Sequence, residues 1–458
     1  MSHVLIISHE IVGKEMAGPG IRCWEFAKAL SNFCEVTLAV PNESDLQPTR
    51  FTLVKYNGER LLRLATGSDV VIVSGLTLAL YPFLKELSIP LVVDIYDPFT
   101  LENLQLFSDR DIAFRQRDHN DLIAALNGQL LAADFLICAS EKQRAYWLGM
   151  LSALNRVNPL TYSEDNSLRR LIDVVPFGLP TEGPRHDNDV LKGVRGTIGR
   201  QDKVVLWGGG IYNWLDPLTL IRAMSHIAKV REDVKVFFMG VKHPNPHVHE
   251  MKVCSEAIQL SKELGLYGKY IFFNDWVPYE ERQNYLLEAD IGISLHLDHV
   301  ETTFSFRTRV LDYIWARLPM VVTCGDDMSA LVKEHGLAKV IGYEAVDELV
   351  EALLEMVDTP DLRQIYAPRF EKIVDRFSWL EVAKPLIEFC RSPRLAPDKT
   401  IARAASKEVA ESIPLNTAVS PTPWRLLLAK AWRCYRERGA RALWIEVSNY
   451  LGWRWLRR

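Results

Sequence analysis

Arg307, Arg309 and Asp312 stand close together in SFRTRVLDYIWARLPMVV, with Glu301 a few residues upstream. Guanidiniums bind phosphate oxygens bidentately, and backbone N–H groups at a helix N-terminus favour the same anion. Cations at that end oppose the helix macrodipole unless an anion is there to meet them. Asp312 lies one turn beyond Arg309, within reach of ribose hydroxyls. Such a set suits recognition of a nucleotide through its phosphates and its ribose. A surface helix with a self-neutralising Arg–Asp pair uses the same residues, so the surrounding elements must decide.

Val310, Leu311, Ile314, Trp315 and Leu318 recur at helical spacing and give this stretch one apolar face. Strand-like runs flank it, Ile291–Leu297 before and Pro319–Thr323 after. Further runs at Lys203–Trp207, Val234–Met239, Tyr270–Phe273 and Ala338–Ile341 alternate with helical patterns. The first part of the chain repeats the scheme, with strand-like runs at Val4–Ser8, Glu35–Val40, Asp69–Ser74, Pro90–Tyr96, Asp134–Ala139 and Ile172–Pro176. Short buried runs separated by helices predict parallel sheets covered on both faces. Gly, Pro, Asp, Asn and Arg dominate the segment between the halves, which reads as a linker. Ligands of doubly wound sheets bind at the carboxyl ends of their strands, here in the cleft between two such domains.

Other candidates lie at those ends. In LWGGGIYNWLDP, three glycines follow a strand directly and expose backbone N–H groups suited to a diphosphate, Gly209 and Gly210 among them. VVDIYDP places Asp94, Tyr96 and Asp97 at a strand end, with an N-cap role before Pro98 as the competing reading of Asp97. After the first strand come His9 and the loop AGPGIRCWE, in which Gly18 and Gly20 allow close backbone approach and Arg22 opens a helix. That loop is not GxGxxG, and no ribose-binding acid follows about twenty residues on, which argues against a nicotinamide dehydrogenase. His243, His247 and His249 lie together in HPNPHVHE. Two prolines make this a rigid loop without a carboxylate-rich partner, so no metal is expected.

The chain is an ordinary soluble composition, 48% hydrophobic and 24% charged, with seven scattered cysteines and no CxxC, which suits a reducing compartment. Neither a secretory signal nor a membrane-spanning run is evident, so a cytoplasmic protein is expected. Net charge is −4 but uneven: Trp424–Arg458 holds nine Lys/Arg against Glu437 and Glu446, a surplus of seven. The rest is therefore near −11, which excludes a nucleic-acid binder by charge.

Several runs together resemble the large retaining glycosyltransferase family four, with its GT-B fold of two facing Rossmann-like domains. They are the AGPG loop, VVPFG at 174–178, LWGGG with LTLIRAM, FFNDWVPYEERQNYLLEADIGISL, SFRTRVLDYIWARLPMVV and FSW at 377–379. The resemblance spans residues 4 to 390, and the second domain carries most of its specificity. It implies sugar transfer from a nucleotide sugar with retention, without a covalent enzyme intermediate and without a required metal or other cofactor. The expected acceptor is a polysaccharide or lipid-linked glycan.

By position, Gly209 and Gly210 would line the donor's phosphates, and Val277 would face its base through the backbone. Arg309 would replace the family's lysine and Asp312 its ribose-binding glutamate. The family's first glutamate falls on Phe304, beside Ser305, with Glu301 the nearest acid; its first-domain histidine falls on Tyr96. The arginine and lysine expected after the phosphate-loop glycines are absent, so Arg307 and Arg309 must supply the cations. Asp97, Glu301, Arg307 and Arg309 form the expected catalytic set, and Gly18, Gly20 and Arg22 the acceptor-side loop. A GT-B module that binds nucleotide sugar or glycan without turnover, and a sugar-nucleotide epimerase, are the alternatives.

The expected domains are 1–180 on the acceptor side, a linker at 181–201, the nucleotide-sugar domain at 202–391, and a flexible linker at 392–422. A basic tail at 423–458 follows, carrying five of the twelve tryptophans. Trp424, Leu428, Ala431 and Tyr435 form one stripe, and a second follows Gly439. Basic, Trp-rich amphipathic helices suit an anionic membrane surface, here the inner face of the plasma membrane. A docked helical hairpin or a partner-binding element are the other readings.

Overall fold

The computed structural model describes residues 1–400, residue 249 excepted. The basic tail and most of the expected second linker therefore lie outside the described residues.

Two parallel sheets organise these residues. The first contains β1 (His3–Ile7), β2 (Glu35–Val40), β3 (Thr52–Lys55), β4 (Val70–Ser74), β5 (Leu91–Asp94), β6 (Phe135–Cys138) and β7 (Ile172–Val174). Their spatial order is β3-β2-β1-β4-β5-β6-β7. The second contains β8 (Lys203–Gly210), β9 (Val234–Gly240), β10 (Ile271–Phe273), β11 (Ile291–Ser294), β12 (Met320–Thr323) and β13 (Ala338–Ile341), in the order β10-β9-β8-β11-β12-β13. Each order reverses beside its first strand, which leaves a crevice at the carboxyl ends of β1 and β4, and of β8 and β11. Sequence periodicity misses only β3, a four-residue edge strand with two exposed ends. The strands at the centre are apolar on both faces because helices cover both.

Tyr313 fixes the helix Thr308–Trp315 to the second sheet. Its ring is fully buried, and its hydroxyl accepts from the Gly208 N–H at 2.8 Å. The hydroxyl hydrogen faces the carbonyls of Leu206 at 3.0 Å and Ile293 at 2.8 Å. Gly292 has no alternative beneath this ring, since a Cβ there would lie 2.7 Å from it. Just past the C-cap Ala316, Arg317 is held at φ +50, a left-handed turn that glycine usually makes at a helix end.

After β13 and the helix Val346–Asp358, periodicity predicts one long closing helix over Asp361–Arg391, but the chain breaks into Leu362–Phe370, Val374–Phe377, Trp379–Val382 and Lys384–Arg391, and then crosses back to the first sheet. Trp379 meets Phe26, Phe389 stacks on Phe135 at 4.9 Å, and Arg156 pairs with Asp398 at 2.7 Å. Residues 392–400, expected in a flexible linker, are thus tied to the first domain. Ala396 N–H donates to Asp134, and Lys399 forms an ion pair with it at 2.8 Å. Where the two inter-domain crossings pass, Leu179 N–H donates to Phe377 O at 2.6 Å, and Trp379 N–H to Leu179 O at 3.0 Å.

Candidate active site

The two sets of strand ends face each other across a closed cleft. Asn245 donates to Glu10 at 2.7 Å, Asn213 to Leu106 O at 3.0 Å, and Tyr96 to Phe306 O at 3.3 Å. Gln143 donates to Phe304 O at 2.8 Å, and Lys142 pairs with Asp327 at 2.9 Å.

On the second domain's side, Arg309 lies against the glycine turn. Its guanidinium covers the ring of Trp207 at 4.8 Å, and Nη2 donates to Gly210 O at 2.9 Å. Nη1 is buried and has no hydrogen-bond partner among the described residues. Burial pulls its pKa down to about 10 despite the facing Tyr313, while Arg307 adds repulsion. The three glycines serve different ends. Gly208 makes room for Tyr313, whose hydroxyl would lie 3.2 Å from a Cβ. Gly209 takes φ +70 at an exposed position with open space around it, and Gly210 closes on the ring of Tyr212.

Arg307 is engaged differently. Nη1 and Nη2 hold Glu301 at 2.9 and 2.6 Å in a fork-to-fork pair, with Glu301 1% exposed. Asp326 sits 3.7 Å from its Nε. The structure therefore brings Glu301 and Arg307 together as an ion pair, and each guanidinium keeps one buried nitrogen without a hydrogen-bond partner among the described residues, Arg307 Nε and Arg309 Nη1. His296 and His299 flank this pair, 3.7 Å from Asp326 and Glu301 respectively. Burial first and Arg307 second push His296 down to about 3, so it is neutral.

Asp312 accepts from Arg282 Nε at 3.1 Å, while Arg282 lies against Tyr279 and Trp315. The Asp312 carboxylate remains a third exposed, open to one further partner. Val277 is buried, Ser305 donates to Thr302 O at 3.0 Å, and Phe304 packs on Tyr146 at 4.8 Å. These three lie along the domain junction.

On the first domain's side, a cavity of about 260 Å³ opens at the ends of β1, β4 and β5. Asp97 lines it and caps no helix: the following helix, Phe99–Leu106, has Pro98 at its N-cap and no side-chain cap bond. Burial, then repulsion from Asp94, push Asp97 up to about 7. Glu102, one turn into that helix, is pushed well above the usual carboxylate range by burial and by Asp97. Arg22 reaches the cavity wall but is fully engaged. It grips Asp94 at 2.6 and 3.2 Å, donates to Val175 O and Pro176 O, and lies between the rings of Phe26 and Tyr96. Gly20 lets its helix approach Ile11, whose carbonyl oxygen would lie 2.4 Å from a Cβ; Gly18 meets nothing.

Sequence reading missed Glu102, the stacked pair Tyr212–Trp214 at 5.0 Å, and the His296–His299–Asp326 group. HLDHVE directly after β11 is the signal for the histidines, by the same strand-end rule that singles out Asp94. His243 accepts from the Asn245 N–H and packs on Trp276, as a satisfied loop would. Among the described residues the one cluster with metal-ligand spacing is His186, Asp189 and Glu288. There Glu288 already receives the N–H groups of Val190, Leu191 and Lys192.

Two facing doubly wound domains, a cleft at their strand ends and a C-terminal return to the first domain define the GT-B architecture. No family profile and no curated protein matches the sequence. Solved structures do match in fold. Sucrose-phosphate synthase from Thermosynechococcus elongatus aligns with TM-score 0.60 at 13% identity, over 90% of this chain and all of that one. WaaG, a glycosyltransferase involved in lipopolysaccharide biosynthesis, aligns at 0.58 and 14%, over 85% and 100%. HepE from Anabaena, solved in complex with UDP-glucose, aligns at 0.56 and 13%, over 89% and 100%. No helix of the described residues is long and apolar enough to cross a membrane.

Proposed function

We propose that this chain is a glycosyltransferase that moves a sugar from a nucleotide-sugar donor, with retention, to a polysaccharide or lipid-linked glycan acceptor. The observation that carries this reading is the Arg309 guanidinium, docked on the Gly208–Gly210 turn with one buried nitrogen that has no partner among the described residues. A diphosphate seated on that turn would satisfy it. Charge that accumulates on a departing nucleoside diphosphate is then met by a fixed cation in a site with little water. In the step proposed, the bond from the sugar's anomeric carbon to the diphosphate oxygen breaks, and its electron pair leaves with the diphosphate. The acceptor hydroxyl bonds to the same face of that carbon, and its proton passes to the departing phosphate oxygen. Asp312 would take the ribose, and the backbone of Val277 the base. Asp97 lies at the facing wall, where an acceptor hydroxyl must come.

WaaG, a glycosyltransferase of the same fold, and HepE, solved with UDP-glucose, support the donor class. The Arg307–Glu301 pair favours a second reading, donor binding without turnover, because it removes one of the two expected cations. A thermal-shift screen across UDP-, GDP-, ADP- and dTDP-sugars, followed by assay of nucleoside diphosphate release, separates these. A stabilising donor with release that depends on a glycan acceptor is expected; a stabilising donor with no release for any acceptor supports the silent module. A chain that none of these donors stabilises would sink both.

A further inference from the structure

The cavity in the first domain holds more negative charge than its own cations answer. Glu10, Asp94, Asp97 and Glu102 line it, and among the described residues Arg22 is the one arginine or lysine on its wall. Arg22 is spent on Asp94, and Glu10 is held by Asn245 from across the cleft. Neither Asp97 nor Glu102 receives a side-chain hydrogen bond from the described residues. Arg307, a cation of the second domain whose charge acts on Glu102, is paired with Glu301. Tyr96, Phe99, Leu106 and Trp214 supply apolar wall between the carboxyls. A cavity of about 150 Å³ admits benzene, so about 260 Å³ admits a substituted six-membered ring.

We propose that this cavity is the acceptor subsite and that the acceptor sugar carries a protonated amine, held by Asp97 and Glu102. The assignment of the cavity to the acceptor rests on the transferase reading; its preference for a cation rests on the charge inventory alone. Half-buried carboxyls that repel one another are the arrangement that a cation relieves, while a phosphorylated or carboxylated sugar would meet the same repulsion. The charges that act on Asp97 are those of Asp94, Arg22, Glu301 and Glu10, and those that act on Glu102 are Asp97, Glu301 and Arg307; Tyr96, whose pKa burial raises, and His9, whose pKa burial lowers, line the same cavity. Entry of an ammonium group requires the carboxyls in their ionised form. Amine affinity is therefore expected to rise as pH increases through about 7, where Asp97 loses its proton.

The test is direct binding to the full chain, by calorimetry without donor, of glucosamine, glucose and glucose 6-phosphate. Glucosamine is expected to bind about tenfold or more tightly than glucose, the scale of one charge-assisted hydrogen bond, and glucose 6-phosphate more weakly than either. Glu102→Gln should remove most of the glucosamine advantage and leave glucose affinity where it was. Equal binding of glucose and glucosamine, no measurable glucosamine binding, or an undiminished advantage in Glu102→Gln overturns the proposal. Nucleoside diphosphate release is read separately. Release with neutral acceptors and no amine preference defeats this inference and leaves the transferase reading standing. Failure of every donor to bind defeats that reading while the glucosamine comparison still decides the cavity's charge preference.

Discussion

Arg309 donates to the carbonyl of Gly210 across 99 residues of sequence, at 2.9 Å. The contact sets a cation beside a glycine turn that carries none of its own. Where the resembled motif has an arginine after its glycines, this chain has Gly210, and a guanidinium from the facing helix fills the neighbourhood instead. Arg307 looks equivalent in sequence, yet it is committed to Glu301.

Replacing Arg309 with Ala should therefore abolish most turnover and leave the fold intact. Loss of a buried charge contact to the leaving group costs roughly 2–4 kcal/mol of transition-state stabilisation, or about 30-fold to 10³-fold in rate. The rate at saturating donor, beside a circular dichroism spectrum, checks it. A variant that turns over like wild type under those conditions rules out Arg309 as the phosphate cation.

Tyr313→Phe tests the support beneath that site. It leaves the Gly208 N–H without its hydroxyl partner in a buried setting, at a cost of about 1–3 kcal/mol. Gly292→Ala should be at least as damaging, because the ring 2.7 Å from the new Cβ has no room to yield. Denaturant midpoints report both; a loss within experimental error for Tyr313→Phe contradicts the tie between β8 and the helix.

Asp97 gives stability a pH dependence of definite sign. Between the ordinary carboxylate range and about 7, the folded chain keeps a proton that the unfolded chain has released. The contribution of this carboxyl to stability therefore falls as pH rises through that window and levels off above about 7. Glu102 acts in the same direction. Asp97→Asn should raise Tm more at pH 8 than at pH 5, and should remove turnover if the acceptor hydroxyl meets Asp97. An equal Tm change at both pH values speaks against a strained carboxyl.

The basic stretch at 423–458 lies outside the described residues, and its charge surplus still makes a prediction. Each Lys or Arg near an anionic bilayer contributes on the order of 1 kcal/mol, and salt screens it. Truncation after Pro421 should leave donor binding unchanged and abolish co-sedimentation with anionic liposomes. Full-length protein that ignores such liposomes at low salt would assign the tail to partner binding or to the body.

The fold was largely legible because buried parallel strands read as short apolar runs, and twelve of thirteen announce themselves that way. β3 did not, being an edge strand with polar ends. Residue types gathered at the second domain's strand ends were legible, but their pairing was not. Arg307 and Arg309 are two residues apart, yet one faces Glu301 and Asp326 while the other reaches Gly210. Which acid captures which arginine depends on contacts that local spacing does not reveal. Glu102 was missed for a related reason: its environment is made by Asp97 and Glu301, from two domains, and neither is close to it in helical register.

The return of residues 384–400 to the first domain decides what any later segment is attached to. Phe389 on Phe135 and Asp398 on Arg156 anchor the chain to the lobe that holds the acid-lined cavity. The crossings at Leu179 and Phe377 are hydrogen-bonded side by side and are the two passages between the lobes among the described residues. A segment that follows residue 400 is thus joined directly to the cavity's lobe, and to the Arg309 lobe only through those passages. If that segment grips a surface, the acid-lined cavity is the part held at a fixed height above it.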